Sequence, residues 1–181
     1  MLNKVGTMKI ETQRLVLREF RLSDAEDMFS NWVTDDEVCK FYTWNPHINI
    51  EETKSFLNML INEYKNPLTF NWVIIDKESN QAIGTIYLSD VDEQGMTAVI
   101  NCIISKKYWN RGIAPEATRA VISYSFSNIK LKCINAHHHE NNVGSGKALT
   151  KSGMIYLGDE YREYPECTNI NGIYRKYTIS E

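Results

Sequence analysis

The order of hydrophobic periodicities predicts a single α/β domain, one mixed and mostly antiparallel sheet of about seven strands flanked by about four helices. Three observations carry this reading. Residues 70–105 hold three consecutive apolar or alternating runs separated by short polar turns, the pattern of an antiparallel meander. Before them lie a short strand pattern and two stretches with apolar residues at helical spacing, and after them helix and strand patterns alternate. A chain of 181 residues is long enough for one well-packed core and short for two, so its activity must sit in this one fold.

In chain order, Leu15, Leu17 and Phe20 alternate with polar neighbours in residues 12–20 and predict the first strand. Ser23 and Glu26 have the spacing of a capping box, and Ala25, Met28, Phe29 and Trp32 then recur at helical intervals. Residues 51–64 predict a second helix with Phe56, Leu57, Leu60, Ile61 and Tyr64 on one face. Strands are expected at 70–76, 82–90 and 97–105, with turns at 77–81 and 92–95. Pro115 stands in the first turn of a helix at 115–128, where its missing N–H costs nothing. A strand at 132–137, a helix at 143–151 and strands at 154–162 and 172–179 complete the order. Met8 opens what reads as the domain proper, residues 8–181. Residues 1–7 are expected to be an N-terminal extension, with translation starts at Met1 and Met8 both open.

With 43% hydrophobic and 24% charged residues, the composition is that of an ordinary globular protein rather than a disordered or fibrous one. A net charge of -3 offers no field to gather phosphate backbones, so nucleic acid is not an expected partner. No stretch approaches the ~20 apolar residues that cross a bilayer, and no membrane partner is expected. Cys39, Cys102, Cys133 and Cys167 form no C-x-x-C pair and sit mostly in apolar segments. They read as reduced, buried thiols, which points to the cytoplasm.

The stretch Tyr108-Trp109-Asn110-Arg111-Gly112-Ile113-Ala114-Pro115-Glu116-Ala117 falls where a strand ends and a helix begins. Such a junction exposes backbone N–H groups that the helix cannot satisfy internally. A pyrophosphate answers them, because unpaired donors and the positive end of the helix dipole face it together, and the small Gly112 and Ala114 let the backbone come close. No Gly-Lys-Ser/Thr follows, which excludes a P-loop, and the G-x-G-x-x-G of a dinucleotide fold is missing. The structural alternatives are that Gly112 only closes a turn and that residues 142–145 only cap a helix.

Trp109-Asn110-Arg111-Gly112-Ile113-Ala114 resembles the acetyl-CoA signature of the GNAT N-acetyltransferases, Gln/Arg-x-x-Gly-x-Gly/Ala. Tyr-Trp-x-x-Gly-x-Ala-x-Glu-Ala is similar to the branch that acetylates ribosomal-protein N-termini, the RimJ/RimL type. The block Asn142 to Met154 resembles that branch's Asn-x-x-Ser followed by a helix and Lys-x-Gly-Phe, and residues 11–18 resemble its first strand. The likeness implies a GNAT-like fold and acetyl-CoA as co-substrate, with no metal. Its activity would be direct acetyl transfer to a primary amine, either a protein N-terminus or a small amine. Backbone N–H groups around Arg111 to Ala114 are then expected to hold the pyrophosphate, and the strand end at Ile103 and Ile104 to pair with the pantetheine arm. Asn142 would bond the pantetheine, and Ser145 would protonate the departing thiolate. For Ser145 the alternative is a helix-start residue bonded to backbone donors.

The resemblance places Val99, Asn101 and Cys102 where relatives carry Glu, Gly and Tyr, so a carboxylate base is absent there. Asn101 either lines the acceptor pocket or satisfies its neighbours on a buried strand. Phe41, Tyr42 and Trp44 match the region that walls the acceptor site in relatives, or cover the core between two helices. His137-His138-His139 puts at most two rings on one side of a strand, which does not make a closed metal site. One of the three borders the cleft as a proton relay, or all lie at a plain strand end. Glu160, Glu163, Tyr164 and Glu166 either attract a cationic amine or form a solvated acidic loop. Homodimerisation is carried over from the family as an expectation, although no segment marks an interface. A different class of function also stays open, a non-catalytic acyl-CoA-binding sensor on the same fold.

Overall fold

The computed structural model describes residues 1–165 and 170–181, so Glu166 and Cys167 lie outside the described residues. An eight-stranded sheet runs in the order β1-β2-β3-β4-β5-β6-β8-β7. The strands are β1 (Ile10–Glu11), β2 (Leu15–Arg18), β3 (Phe70–Asp76), β4 (Ala82–Asp92), β5 (Thr97–Ile104), β6 (Cys133–His139), β7 (Ile155–Arg162) and β8 (Gly172–Ser180). All neighbouring pairs are antiparallel except β5 and β6. The helices are α1 (Ala25–Met28), α2 (Asp36–Cys39), α3 (Ile50–Glu63), α4 (Ile113–Tyr124) and α5 (Val143–Lys151). The strand beyond those expected from sequence is β1, two residues long and paired to β2.

Alternation along β3 sorts the core into two layers. Phe70, Trp72 and Ile74 join Ile86, Leu88, Ala98, Ile100, Ile134 and Ala136 beneath Ala117, Val121 and Leu149 of α4 and α5. Val73, Ile75 and Ala82 face the other way, with Ile103, onto Met28, Trp32, Leu57 and Leu60. The strand is therefore buried on both faces, which is why its sequence reads as a near-continuous apolar run.

The expected capping box at Ser23 and Glu26 is not what starts the first helical segment. The chain first turns through a 3-10 stretch, Leu22–Asp24. Asp24 accepts from the Arg21 N–H at 2.8 Å and is gripped by both Arg18 Nη atoms at 2.8 and 2.7 Å. A buried carboxylate already held by a strand arginine sets the entry, so Ser23 has no such work to do. Helix α1 passes directly into a π-helical turn at Phe29–Val33, and α2 is a single turn capped by Asp35, too short to leave a periodic signal. Asn49 caps α3, and Glu52 returns a bond to the Ile48 N–H at 2.9 Å.

Residues 1–7 run along the body of the fold. Leu2 is buried in the larger core layer, the Asn3 N–H donates to the Ile129 carbonyl at 2.8 Å, and the Gly6 N–H to Pro67 at 3.0 Å. Thr7 Oγ1 donates to the Thr69 carbonyl and accepts from the Asn71 N–H, at 2.9 and 3.0 Å. Deleting these seven residues should lower stability by about 2–4 kcal/mol through loss of Leu2 burial and its hydrogen bonds. Thermal unfolding of the chain begun at Met8 checks this, and an unchanged midpoint would refute it.

At the centre of the sheet, a Cβ placed on Gly84 would overlap the Ile103 carbonyl oxygen of β5. Only glycine allows that approach of β4 to β5. Gly84→Ala is expected to cost about 3 kcal/mol, because the obstacle is backbone and not a movable side chain. Urea unfolding measures it; a cost below about 1 kcal/mol would mean that the strands adjust.

Candidate active site

Strands β5 and β6 pair only at Thr97↔Cys133, Ala98↔Ile134 and Val99↔Asn135. Past Val99 no further pairing joins them, while β5 runs on to Ile104 and β6 to His139. The sheet is thus split at its C-terminal end. Ser105 N donates to the Ile83 carbonyl at 2.8 Å, and the Ile103 carbonyl abuts Gly84, so the odd-numbered residues of β5 turn their backbone to β4. By alternation, Cys102 and Ile104 turn theirs toward the gap. Both of those carbonyls are engaged: Tyr42 Oη donates to Cys102 O at 3.3 Å and Trp109 Nε1 to Ile104 O at 2.8 Å. What the edge of β5 offers the gap is therefore N–H. Ile103, expected from sequence to face the pantetheine with Ile104, instead bonds within the sheet and packs on the α1–α3 side.

Above the gap lies the loop between β5 and α4. A 3-10 turn, Lys106–Tyr108, leads to Asn110 and Gly112, both left-handed at φ 60° and 74°. Among the described residues none accepts from the N–H of Asn110, Arg111 or Gly112. Glu116 is the first α4 residue to bond back, to the Gly112 carbonyl at 3.2 Å, which leaves the N–H groups of Ile113 and Ala114 facing outward; Pro115 has none. Successive free donors around left-handed residues form an anion-binding concavity, reinforced by the α4 dipole. The donor set fits a pyrophosphate.

The loop is held from two sides. Trp109 ties it to β5 as described, and Arg14 from the turn before β2 donates through Nη1 to the Arg111 carbonyl at 2.9 Å. Arg14 Nε and Nη2 both reach Glu116 Oε2, at 2.7 and 2.6 Å, and Glu116 Oε1 takes Thr12 Oγ1 at 2.6 Å and the Arg14 N–H at 3.0 Å. Burial pushes the Glu116 carboxyl up, but the bonds from Thr12 and Arg14 outweigh it and hold the group below its ordinary range. It is ionised at neutral pH. Sequence reasoning singled out neither Arg14 nor the role of Glu116, although both fall inside the quoted motifs.

On the other side of the gap, α5 begins just beyond β6. Asn142 Oδ1 caps it by accepting from the Ser145 N–H at 3.2 Å. Its Nδ2 is not used in the cap. The half-buried Ser145 hydroxyl has no hydrogen bond among the described residues, so Asn142, not Ser145, satisfies the helix start.

The opposite face of the split sheet carries Asn101 on β5 and, on β6, His137 and His139, which alternate away from His138. Asn101 Nδ2 donates to Ser89 Oγ at 3.0 Å. His139 stacks on Phe41 at 5.6 Å and meets Tyr174 edge-on at 5.4 Å, while the half-buried Tyr42 stacks on Trp44 at 5.6 Å. Phe41 is thus brought to the β6 rim, whereas Tyr42 and Trp44 pack against the smaller core layer. His137 lies against Tyr174 at 5.8 Å with no hydrogen bond to its ring among the described residues. Burial, then Arg162, push its pKa down to about 4 against the opposing pull of Glu160 and Asp90. Glu160 is paired to Arg162 and to Lys176 at 3.2 Å, so it is not a free acidic group. His138 lies on the α5 side against Gly146. Among the described residues no three His, Cys, Asp or Glu side chains gather to hold a metal. Burial pushes the thiols of Cys39 and Cys102 up to about 12, which makes them poor nucleophiles. No helix among the described residues is long and apolar enough to cross a membrane.

Comparison with known proteins agrees with this geometry. Residues 14–155 match the family described as "Acetyltransferase (GNAT) domain". The uncharacterized N-acetyltransferase YoaA of Bacillus subtilis (strain 168) is 31% identical over 145 residues, 80% of this chain and 81% of its own. Among solved structures, an acetyltransferase of the GNAT family from Bacillus anthracis superposes with a TM-score of 0.83 at 27% identity, covering 96% of this chain and 98% of its own. The fold alone is shared with two more distant proteins. One is the ribosomal-protein-S5-alanine acetyltransferase of Vibrio fischeri (20% identity, TM-score 0.82, 96% of each chain). The other is the microcin C7 self-immunity acetyltransferase MccE, solved with acetyl-CoA and AMP (18% identity, TM-score 0.81, 94% of each chain). The split sheet, the donor loop at its mouth and the match over most of the chain lead to one conclusion: this protein belongs to the GNAT family and is an acetyl-CoA-dependent N-acetyltransferase.

Proposed function

We propose that the acceptor is the N-terminal amine of a peptide or protein, as in the RimJ/RimL branch whose motifs this sequence resembles. The observation that carries this reading is the acceptor face itself, which is largely aromatic, its half-buried acid Glu160 being matched by Arg162 and Lys176, so that of the two carboxylates acting on His137 only the exposed Asp90 lacks an ion pair among the described residues. A polyamine would call for unpaired carboxylates there.

Acetyl-CoA supplies the activated acetyl group. The N–H groups of residues 110–114 hold its pyrophosphate, the gap-facing N–H groups of Cys102 and Ile104 bond its arm, and Asn142 Nδ2 adds a donor from α5. The Cys102 N–H, pointing into the gap, polarises the thioester carbonyl. The acceptor amine approaches from the face of Asn101 and His137 and attacks directly, with no covalent enzyme intermediate. His137 takes the proton that the amine loses. Its depressed pKa keeps it neutral but makes it a weak base, so it acts as a relay that passes the proton on to solvent and does not hold it. Ser145, whose hydroxyl the helix cap does not need, donates a proton to the leaving thiolate.

Ser145→Ala should lower kcat about 100-fold with little change in KM for acetyl-CoA. His137→Gln should do the same while leaving CoA affinity intact, read by calorimetry beside steady-state rates; a raised KM with unchanged kcat would assign either residue to binding instead. The acceptor is tested by thiol release with peptides beginning in Ala or Ser, with spermidine and with an aminoglycoside. Turnover confined to the peptides is expected, and preference for either small amine would overturn the choice of acceptor.

A further inference from the structure

We propose that Arg14 is a positioning residue for the phosphate-binding loop: by holding the Arg111 carbonyl it aims the Gly112 N–H into the cleft. The inference rests on the reading of residues 110–114 as the pyrophosphate site. Its ground is the geometry of one peptide unit. The Arg111 C=O and the Gly112 N–H belong to the same planar trans peptide, so they point in opposite directions. Arg14 Nη1 fixes the carbonyl at 2.9 Å on the β2 side, and the N–H is thereby turned away from Arg14 toward the mouth of the gap.

This peptide needs an external hold. It lies close to two left-handed residues, Asn110 and Gly112, and glycine passes between backbone regions at little cost, so a flip of the unit would exchange donor for acceptor at the point where an anion must sit. A carbonyl oxygen turned into the site would repel a phosphate. Arg14 is in turn immobilised, since its Nε and Nη2 both hold Glu116 Oε2 and the second Glu116 oxygen is taken by Thr12 Oγ1 and the Arg14 N–H. Glu116 also belongs to the first turn of α4, so one carboxylate joins the turn before β2, the loop carbonyl and the helix start into a single unit.

The effect is one of orientation more than of charge. The Arg14 cation is neutralised by Glu116 at 2.6 Å, which leaves little field for a phosphate nearby. The planar fork, with one arm on a carboxylate and another on a carbonyl, is a geometry that an ammonium group cannot reproduce.

Calorimetric titration with CoA and with pantetheine, which lacks the pyrophosphate, separates this role from a general structural one. Arg14→Met and Arg14→Lys should each weaken CoA about 10-fold while pantetheine affinity stays within about twofold. Glu116→Gln, which keeps the shape and loosens the grip on Arg14, should weaken CoA about threefold and serves if the Arg14 variants fold poorly. Wild-type affinity for CoA in Arg14→Lys would show that charge suffices and would overturn the proposal. Equal losses for CoA and pantetheine would overturn it too, as a disturbance of the whole cleft. Failure of the wild-type protein to bind CoA would instead overturn the underlying assignment of the loop, a result distinct from wild-type binding that the variants leave untouched.

Discussion

The separation of β5 from β6 is the constraint on which the rest of this molecule depends. They are the one parallel pair in an otherwise antiparallel sheet, and a parallel pair needs a crossover, here the α4 helix. Three residue pairs hold them together and then they diverge. Because α4 starts where β5 ends and α5 starts where β6 ends, the positive ends of two helices arrive on either side of the same opening. A ligand with an anionic end and a polar arm is what such an opening accepts, at the carboxyl ends of the strands where open sheets bind their ligands.

An opening in a sheet exposes backbone groups that would otherwise be paired, and the chain deals with donors and acceptors differently. The carbonyls of Cys102 and Ile104 are satisfied by Tyr42 and Trp109, side chains from the two loops that flank the gap. The N–H groups stay open. The result is a strand edge of one polarity, continued by the N–H groups of residues 110–114 that bond to no backbone acceptor, a run of donors that suits the thioester and pyrophosphate of the proposed site. The same two bonds fix the loops themselves. Tyr42 pins the aromatic segment after α2 to the strand, and its buried hydroxyl, pushed up in pKa by desolvation, stays protonated and so remains a donor.

Much of this was legible in the sequence, and the boundary of legibility has a physical cause. The strand at Phe70–Asp76 and the helix at Val143–Lys151 begin and end where periodicity puts them, because local pattern and tertiary burial agree there. The Gly112 turn was legible for the same reason, as an αL glycine at a strand-to-helix junction is a local requirement. What failed was whatever depends on a distant partner. Asp24 displaced Ser23 at the first helical turn because Arg18 of β2 holds it. Arg14 and Glu116 meet across 102 positions, and nothing local marks Trp109 as the residue whose indole holds the Ile104 carbonyl. For Glu160 the sequence left an amine-attracting acid or a solvated loop open, because its pairing with Lys176 depends on the neighbouring strand β8.

The missing carboxylate at Val99 becomes intelligible in the same terms. Direct attack, as proposed above, requires a neutral amine, and the surroundings that decide the protonation of His137 would also act on an acceptor bound beside it. Burial and the Arg162 guanidinium disfavour any added cation there, and they prevail over Glu160 and Asp90 in pushing the imidazole down to about 4. On the proposed reading, an ammonium ion entering that environment would meet the same penalty and give up its proton more readily than in water. A carboxylate on the strand would work against this, since a negative charge beside the amine stabilises its protonated form. On the reading proposed above, the cleft would lower the acceptor's pKa while the neutral imidazole would serve as a relay for the departing proton, which offers a route to deprotonate an amine where β5 supplies no acid side chain.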